Sequence, residues 1–153
     1  MAKKLLIAGS ALALICSCNS MENPLLTESS APFGAPEFDK IKNEHYLPAF
    51  EAGIAEAKAE IDAIVANKEE PTFENTIEAM EVSGQTLNNV AGIFFNLMEA
   101  DTDDEMQQIA ESVSPMLTEY SMYVSLNNDL FQRVKAVYEK KDELGLAPDQ
   151  MKL

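Results

Sequence analysis

Apolar side chains recur at alternating intervals of three and four residues along most of the chain after position 46, and this spacing keeps them on one face of an α-helix. Pro48 should lie in the first turn of the first helix, where its missing N–H costs nothing, and Lys42 to Tyr46 should form a lead-in turn. Asn67 supplies an end signal. The predicted buried stripe of this helix is Leu47, Phe50, Ile54, Ala57, Ile61 and Ile64.

A second long helix is predicted after Pro71. Either Thr72 or Asn75 can cap its start. Glu78 follows Asn75 by three residues, which is the spacing of a capping box. A glycine inside a helix costs about 1 kcal/mol relative to alanine, so Gly84 on the apolar stripe suggests that a neighbouring helix crosses closely there; a hinge is the alternative. The stripe consists of Phe73, Ile77, Met80, Gly84, Leu87, Ala91, Phe94 and Met98.

Two further helices complete the pattern and predict an all-α fold of long antiparallel helices. Thr102 and Glu105 have capping-box spacing at the start of the third helix, and Pro115 predicts a bend within it. The segment from Leu126 to Asp129 indicates a turn and a new cap. The third stripe is Met106, Ile109, Val113, Met116, Tyr120 and Tyr123; the fourth is Leu130, Val134 and Val137 with Phe131 and Tyr138, ended by Gly145.

The acidic balance of the chain limits its partners. It has 26 acidic and 11 basic residues in 153, a formal net charge of -15. Affinity for nucleic acid comes largely from lysine and arginine that neutralise phosphates, so no nucleic-acid partner is expected.

Residues 1–18 have the pattern of an export signal. Lys3 and Lys4 precede an apolar run that is too short to span a bilayer as an ordinary transmembrane helix. The end of this run, ICSC at 15–18, resembles a bacterial lipoprotein box, which implies cleavage and lipidation at Cys18. Cys16 is the poorer candidate because the bulky Ile15 precedes it, and an ordinary secretory signal is the alternative. The predicted location is the cell envelope, with a lipid anchor in the membrane facing the periplasm.

Residues 19–37 are rich in serine, proline and asparagine and show no apolar period, so they predict either an ordered arm or a loose tether. Residues 38–153 are the predicted helical segment. Pro148 is placed to start another helix with room for about one turn before Leu153, which we interpret as an incomplete domain.

Candidate chemistry is sparse. His45 is the only histidine, and no His-Glu-x-x-His run is present, so the sequence predicts no catalytic, cofactor-binding or metal-binding residue. His45 is interpreted as a packing or capping residue. An EF-hand loop starting at Asp101 would need glycine and glutamate where Met106 and Ser112 stand, so the acidic cluster is interpreted as a helix cap. Tyr120 and Tyr123, like Phe94 and Phe95, are assigned to the core.

A series of segments resembles, in the same order, the N-terminal region of bacterial zinc oligopeptidases of the peptidyl-dipeptidase (dipeptidyl carboxypeptidase), oligopeptidase A and thimet oligopeptidase family. These segments are NPLL at 23–26, FDKIK at 38–42, HYLPAF at 45–50, PTFENT at 71–76, FFNL at 94–97 and LFQRVKAVY at 130–138.

The resemblance implies a two-lobed, all-helical metallopeptidase with a deep channel that admits short peptides. It implies a zinc ion held by a His-Glu-x-x-His helix and a downstream glutamate, with the zinc activating water. In the family those residues lie far beyond position 153, so none is carried onto this sequence. The chain would be a non-catalytic part that walls or lids the channel and packs on the remaining C-terminal part. The alternative is a self-contained, lipid-anchored helical interaction module without enzymatic activity.

Overall fold

The structure is a computed structural model that describes residues 23–153, all of them in helices and connecting turns. The all-α prediction is confirmed for this part of the chain. The predicted signal peptide and Cys18 lie outside the described residues. The helices are α1 (Asn43–Ala66), a π-helical turn (Phe73–Glu78) that runs into α2 (Ala79–Glu81), α3 (Gln85–Ala100), α4 (Asp104–Ser125) and α5 (Asn128–Tyr138), with 3-10 turns at Pro32–Gly34, Lys141–Glu143 and Gln150–Lys152.

Helix α1 lies at the centre of the fold, and α3, α4 and α5 all pack against it. The predicted stripe of α1 is confirmed, with Leu47 only partly buried and Tyr46, Ala49 and Gly53 added to the buried set. Two buried clusters result. The larger joins α1, α3 and α4, and the smaller consists of Ile61, Ile64 and Leu130 at the other end of α1.

The start of α1 differs from the prediction. The helix begins at Asn43, so the lead-in turn predicted for Lys42 to Tyr46 is wrong, and Pro48 lies in the second turn. The helical turn before the proline carries Tyr46, which is buried in the core. Pro48 then leaves one carbonyl of the preceding turn without its usual N–H donor, and burial of the stripe outweighs that loss. Asn67 caps the end of the helix, as predicted.

The predicted second helix is broken in two. Gly84 has φ 70°, a left-handed conformation that ends the α2 segment and starts α3, and its N–H donates to Oε2 of Glu60 at 2.7 Å. Gly84 is therefore a break between helices, and α1 also passes close to it, since an added Cβ would lie 3.6 Å from Cβ of Ala57. The approach is tighter at Gly53, where an added Cβ would lie 3.0 Å from Cα of Leu87.

The caps follow the predicted chemistry with shifted residues. Thr72 and Asn75 bond each other's backbone N–H, so the capping box is this pair and does not use Glu78. Because α4 begins at Asp104, its cap is Asp103 and the prediction of Thr102 is wrong. Asp103 accepts from the N–H of Met106 at 2.7 Å.

The last two helices differ from the prediction in where they end and in which residues they bury. Helix α4 continues through Pro115, and Asn127 caps α5 as predicted. Helix α5 ends at Tyr138 well before Gly145, because the charged residues 139–143 give the helix no apolar face to bury. Phe131 and Tyr138 are exposed, and the buried stripe is Leu130, Arg133 and Val137.

The described part of the predicted arm, from Asn23 onward, packs against the helices. Leu25 is buried in the larger cluster, and Nδ2 of Asn23 donates to the carbonyl oxygen of His45 at 2.8 Å. Further along, Phe33 has φ 63° and is fully exposed in the 3-10 turn. Among the residues from 23 onward, no helix combines the length and apolar character needed to cross a bilayer.

Candidate functional site

The one histidine of the sequence is a capping group at the start of α1. Nδ1 of His45 accepts from the backbone N–H of Lys42 at 3.0 Å, and the N–H of His45 donates back to the carbonyl oxygen of Lys42 at 2.9 Å. The carbonyl oxygen of His45 accepts a hydrogen bond from Nδ2 of Asn23 in the arm. The capping interpretation is confirmed.

The described residues do not fit a zinc ion. Within residues 23–153, no group of three or more histidine, cysteine, aspartate or glutamate side chains is placed to hold a metal. A catalytic zinc takes three protein ligands and an open position. His45 alone cannot supply such a set, so no chemical step can be assigned to a metal in this part of the chain.

The acidic segment 101–105 is a junction between two helix starts. Asp103 caps α4, and Nδ2 of Asn43 at the start of α1 donates to Oδ2 of Asp103 at 3.1 Å and to Oε2 of Glu105 at 3.0 Å. The N–H of Met106, with further help from Asn43, lowers the pKa of Asp103. The helix-cap interpretation is confirmed. The carboxylates of Asp103 and Glu105 accept hydrogen bonds from other residues of the same chain.

Arg133 forms a buried clamp that the sequence patterns did not identify. Its guanidinium donates to the carbonyl oxygen of Asn67 at 2.8 Å, to Oδ1 of Asn75 at 3.0 Å and to Oγ1 of Thr76 at 3.4 Å. Nε has no hydrogen-bond partner among the described residues. The available signal was a charged residue at a stripe position of α5, four residues before Val137.

The clamp brings together two segments that carry the family resemblance, PTFENT at 71–76 and LFQRVKAVY at 130–138. Aromatic rings make a second contact between two of these segments, HYLPAF at 45–50 and FFNL at 94–97. Ring centroids of Tyr46 and Phe94 are 4.8 Å apart, those of Phe50 and Phe94 are 5.5 Å apart, and both pairs are edge-to-face. Burial raises the pKa of Tyr46. The resemblance segments are therefore points where helices lock together, and they hold no catalytic constellation.

Tyr120 and Tyr123 connect α4 to α1 and are partly buried at the edge of the core, so their assignment to the core holds only in part. Tyr120 packs against the larger cluster, and burial together with the charge of Glu60 raises its pKa. Tyr123 packs against the smaller cluster and donates a hydrogen bond to Asp62, which raises its pKa.

Three open grooves mark the surface of the described residues. One of about 280 Å³ lies between the π-helical turn, α5 and the C-terminal turns. A second of about 450 Å³ lies beside Gly84, between the α2 segment and α4. The third, of about 630 Å³, lies between the arm and α3 and is edged by Asn88, Asn89 and Asn96. His45 lines none of these three grooves.

Comparison with known proteins identifies several similar peptidases. The chain is 44% identical over 131 residues to dipeptidyl carboxypeptidase of Escherichia coli (strain K12), covering 86% of this chain and 19% of that protein. It is 29% identical over 111 residues to oligopeptidase A of Salmonella typhimurium, covering 72% and 16%. It is 28% identical over 107 residues to thimet-like oligopeptidase of Dictyostelium discoideum, covering 70% and 15%.

No protein-family model matches the chain. The similarity to these peptidases nevertheless confirms the predicted resemblance. The chain spans about a fifth or less of the length of the curated relatives it matches.

Proposed function

We propose that this chain, which is homologous to the N-terminal part of dipeptidyl carboxypeptidase and oligopeptidase A, is a non-catalytic part of an exported, zinc-dependent peptidase acting on short peptides. The observation that carries the proposal is the 44% identity over 86% of the chain. The roles of His45, Asp103 and Arg133 agree with it, because each holds helices in place. In this proposal the zinc and its ligands belong to the rest of the peptidase.

Within such a peptidase, the chain would form a wall or lid of the substrate channel. Two observations support this role. Phe50 and Phe94 are fully buried in a tightly packed aromatic centre, so the helices form a stiff unit. Several large apolar side chains remain exposed on its surface, as expected of a segment that packs on further polypeptide.

A chimeric enzyme tests the proposal directly. Residues 23–153 of this chain would replace the homologous part of the Escherichia coli dipeptidyl carboxypeptidase, and hydrolysis of a short peptide would be measured. The isolated chain should be inactive, and the chimera should retain activity within about tenfold of the parent enzyme, because a wall segment supplies shape rather than reacting groups. A folded chimera without activity, or an isolated chain that hydrolyses the peptide, would contradict the proposal.

Export and lipidation are the second part of the proposal and rest on residues 1–18. Cys18 would carry the lipid and anchor the protein in the cell envelope, facing the periplasm. Cys18→Ala should abolish incorporation of labelled fatty acid and release the protein from membranes, whereas Cys16→Ala is the matched control and should change neither. Lipid labelling that survives Cys18→Ala but is lost with Cys16→Ala would overturn the assignment.

A further inference from the structure

We infer that the groove beside α5 is the docking surface for an apolar, carboxylate-bearing helix from the remaining part of the peptidase, an inference that rests on the proposed function. The floor of the groove is apolar, with Phe73 and Val137 almost completely buried. Its edge is formed by exposed apolar side chains, including Tyr138 and Met151. This arrangement offers a site for one or two apolar side chains of an incoming helix.

The charge at the edge of the groove differs from that of the rest of the molecule. Lys141 and Lys152 line the groove, and no aspartate or glutamate does. Elsewhere in the part of the chain that the structure describes, Lys40, Lys58 and Lys140 are among the lysines that pair with carboxylates. Lys141 and Lys152 form no such pair there, and Lys141 instead stacks on the Tyr138 ring, with Nζ 4.0 Å from the centroid.

Two lysines at the edge of an apolar groove, in a chain with 26 acidic residues, favour an occupant that contributes a carboxylate. The groove is small, with a volume of about 280 Å³, and has room for one or two side chains of a partner polypeptide.

The remaining part of the peptidase is a better occupant than a second copy of this chain. In a two-fold dimer the same patch meets itself, so Lys141 and Lys152 of one copy would face those of the other, and like charges would repel. By contrast, the Escherichia coli relative has about four-fifths of its length outside the matched region, which provides ample polypeptide to cover the groove.

The test compares each substitution in two contexts, the isolated residues 23–153 and the chimeric enzyme. Met151→Glu places a charge in the groove, and Met122→Glu on α4 is the matched control, since the two methionines are 48% and 54% exposed. In the chimera, Met151→Glu should lower the melting temperature by about 1–2 °C, because the new carboxylate replaces an apolar contact and competes with the carboxylate of the occupant for Lys141 and Lys152. In the isolated chain it should change little, and Met122→Glu should change little in both contexts.

Charge reversal gives an independent reading. Lys141→Glu should lower the melting temperature of the chimera but not that of the isolated chain, whereas Lys135→Glu, on the exposed face of α5, should affect both contexts equally. An active chimera in which Met151→Glu and Met122→Glu have equal effects would overturn the groove assignment and leave the proposed function intact. If the folded chimera is inactive but Met151→Glu still lowers its melting temperature more than Met122→Glu does, the proposed function is contradicted and the groove assignment is not. Concentration-dependent dimerisation of the isolated chain that Met151→Glu abolishes would assign the groove to a second copy and overturn the inference.

Discussion

Substituting alanine at two glycines should have opposite effects on stability, because only one of the two faces another backbone. Gly53 lies in the middle of α1, and a Cβ added there would be 3.0 Å from Cα, 3.1 Å from N and 3.3 Å from Cβ of Leu87. These neighbours are mostly backbone atoms of α3 and cannot rotate away. Gly92 lies within α3, and an added Cβ there would meet nothing within 4 Å.

The magnitudes follow from two competing terms. Alanine in place of glycine inside a helix stabilises by about 1 kcal/mol, and this gain applies to both sites. At Gly53 the added methyl also forces α1 and α3 apart, and overpacking of this kind costs about 1–3 kcal/mol. Gly92→Ala should therefore stabilise by about 1 kcal/mol, and Gly53→Ala should be about 1–3 kcal/mol less stable than Gly92→Ala.

Urea unfolding of residues 23–153, followed by circular dichroism, measures this difference. For a small domain the free energy of unfolding falls by about 1–3 kcal/mol per molar urea, so the midpoints of the two variants should differ by about 1 M. Gly92→Ala controls for the change in helix propensity. The reasoning would be refuted if Gly53→Ala were as stable as Gly92→Ala, because α1 and α3 would then not be in backbone contact at Leu87.

Three further predictions concern Arg133, Asp103 and Phe33. Arg133→Met should destabilise the isolated chain by about 1–3 kcal/mol, because it leaves the carbonyl of Asn67 without its donor. Lys135→Met, at an exposed position of α5, is the control. Equal urea midpoints for the two variants would contradict the role of Arg133 as a clamp. The lowered pKa of Asp103 means that its stabilising effect is present above its ordinary pKa of 3.8 and is lost as the pH falls through the lower folded value. Asp103→Asn should therefore lose less stability between pH 5 and pH 3 than the unmodified chain, as measured by the urea midpoints. If both lose the same stability over this range, Asp103 does not contribute to the acid sensitivity. Phe33→Gly should raise the stability by roughly 0.5–1 kcal/mol, because glycine accepts a positive φ and the exposed ring loses no packing; a lower melting temperature would show that Phe33 makes a contact in the folded chain.

The helical stripes were predictable because they depend on local spacing. A stripe at intervals of three and four buries one face of a helix whatever its neighbour is, so Phe50, Ile61, Phe94 and Val113 were placed in the core correctly. The cap residues were predictable in kind, since short polar side chains satisfy free N–H groups at helix starts. Their exact positions were not, and the cap of α4 moved by one residue to Asp103.

The candidate site was less predictable, because its geometry joins residues that are far apart in the chain. Periodicity could mark Arg133 as a charged residue at a stripe position of α5, but it could not identify the partners Asn67, Asn75 and Thr76, because they lie 57 to 66 residues away in the chain. The exposed groove beside α5 likewise depends on how the π-helical turn meets the last helix. Recognition of the peptidase family came from the sequence, but the roles of the recognised segments in holding helices together came from the structure.

By itself, the sequence determined the all-α class, most of the buried stripes and the absence of a His-Glu-x-x-His run, because each depends on neighbours within a few residues. Only the tertiary structure decided which glycine permits a close helix crossing and which one breaks a helix. Gly53 and Gly84 both fall at a spacing of three from an apolar stripe residue, Phe50 and Leu87 respectively, so spacing alone does not separate them. They differ in what faces them: the backbone of Leu87 approaches Gly53, whereas Gly84 takes a positive φ that the adjoining helices require.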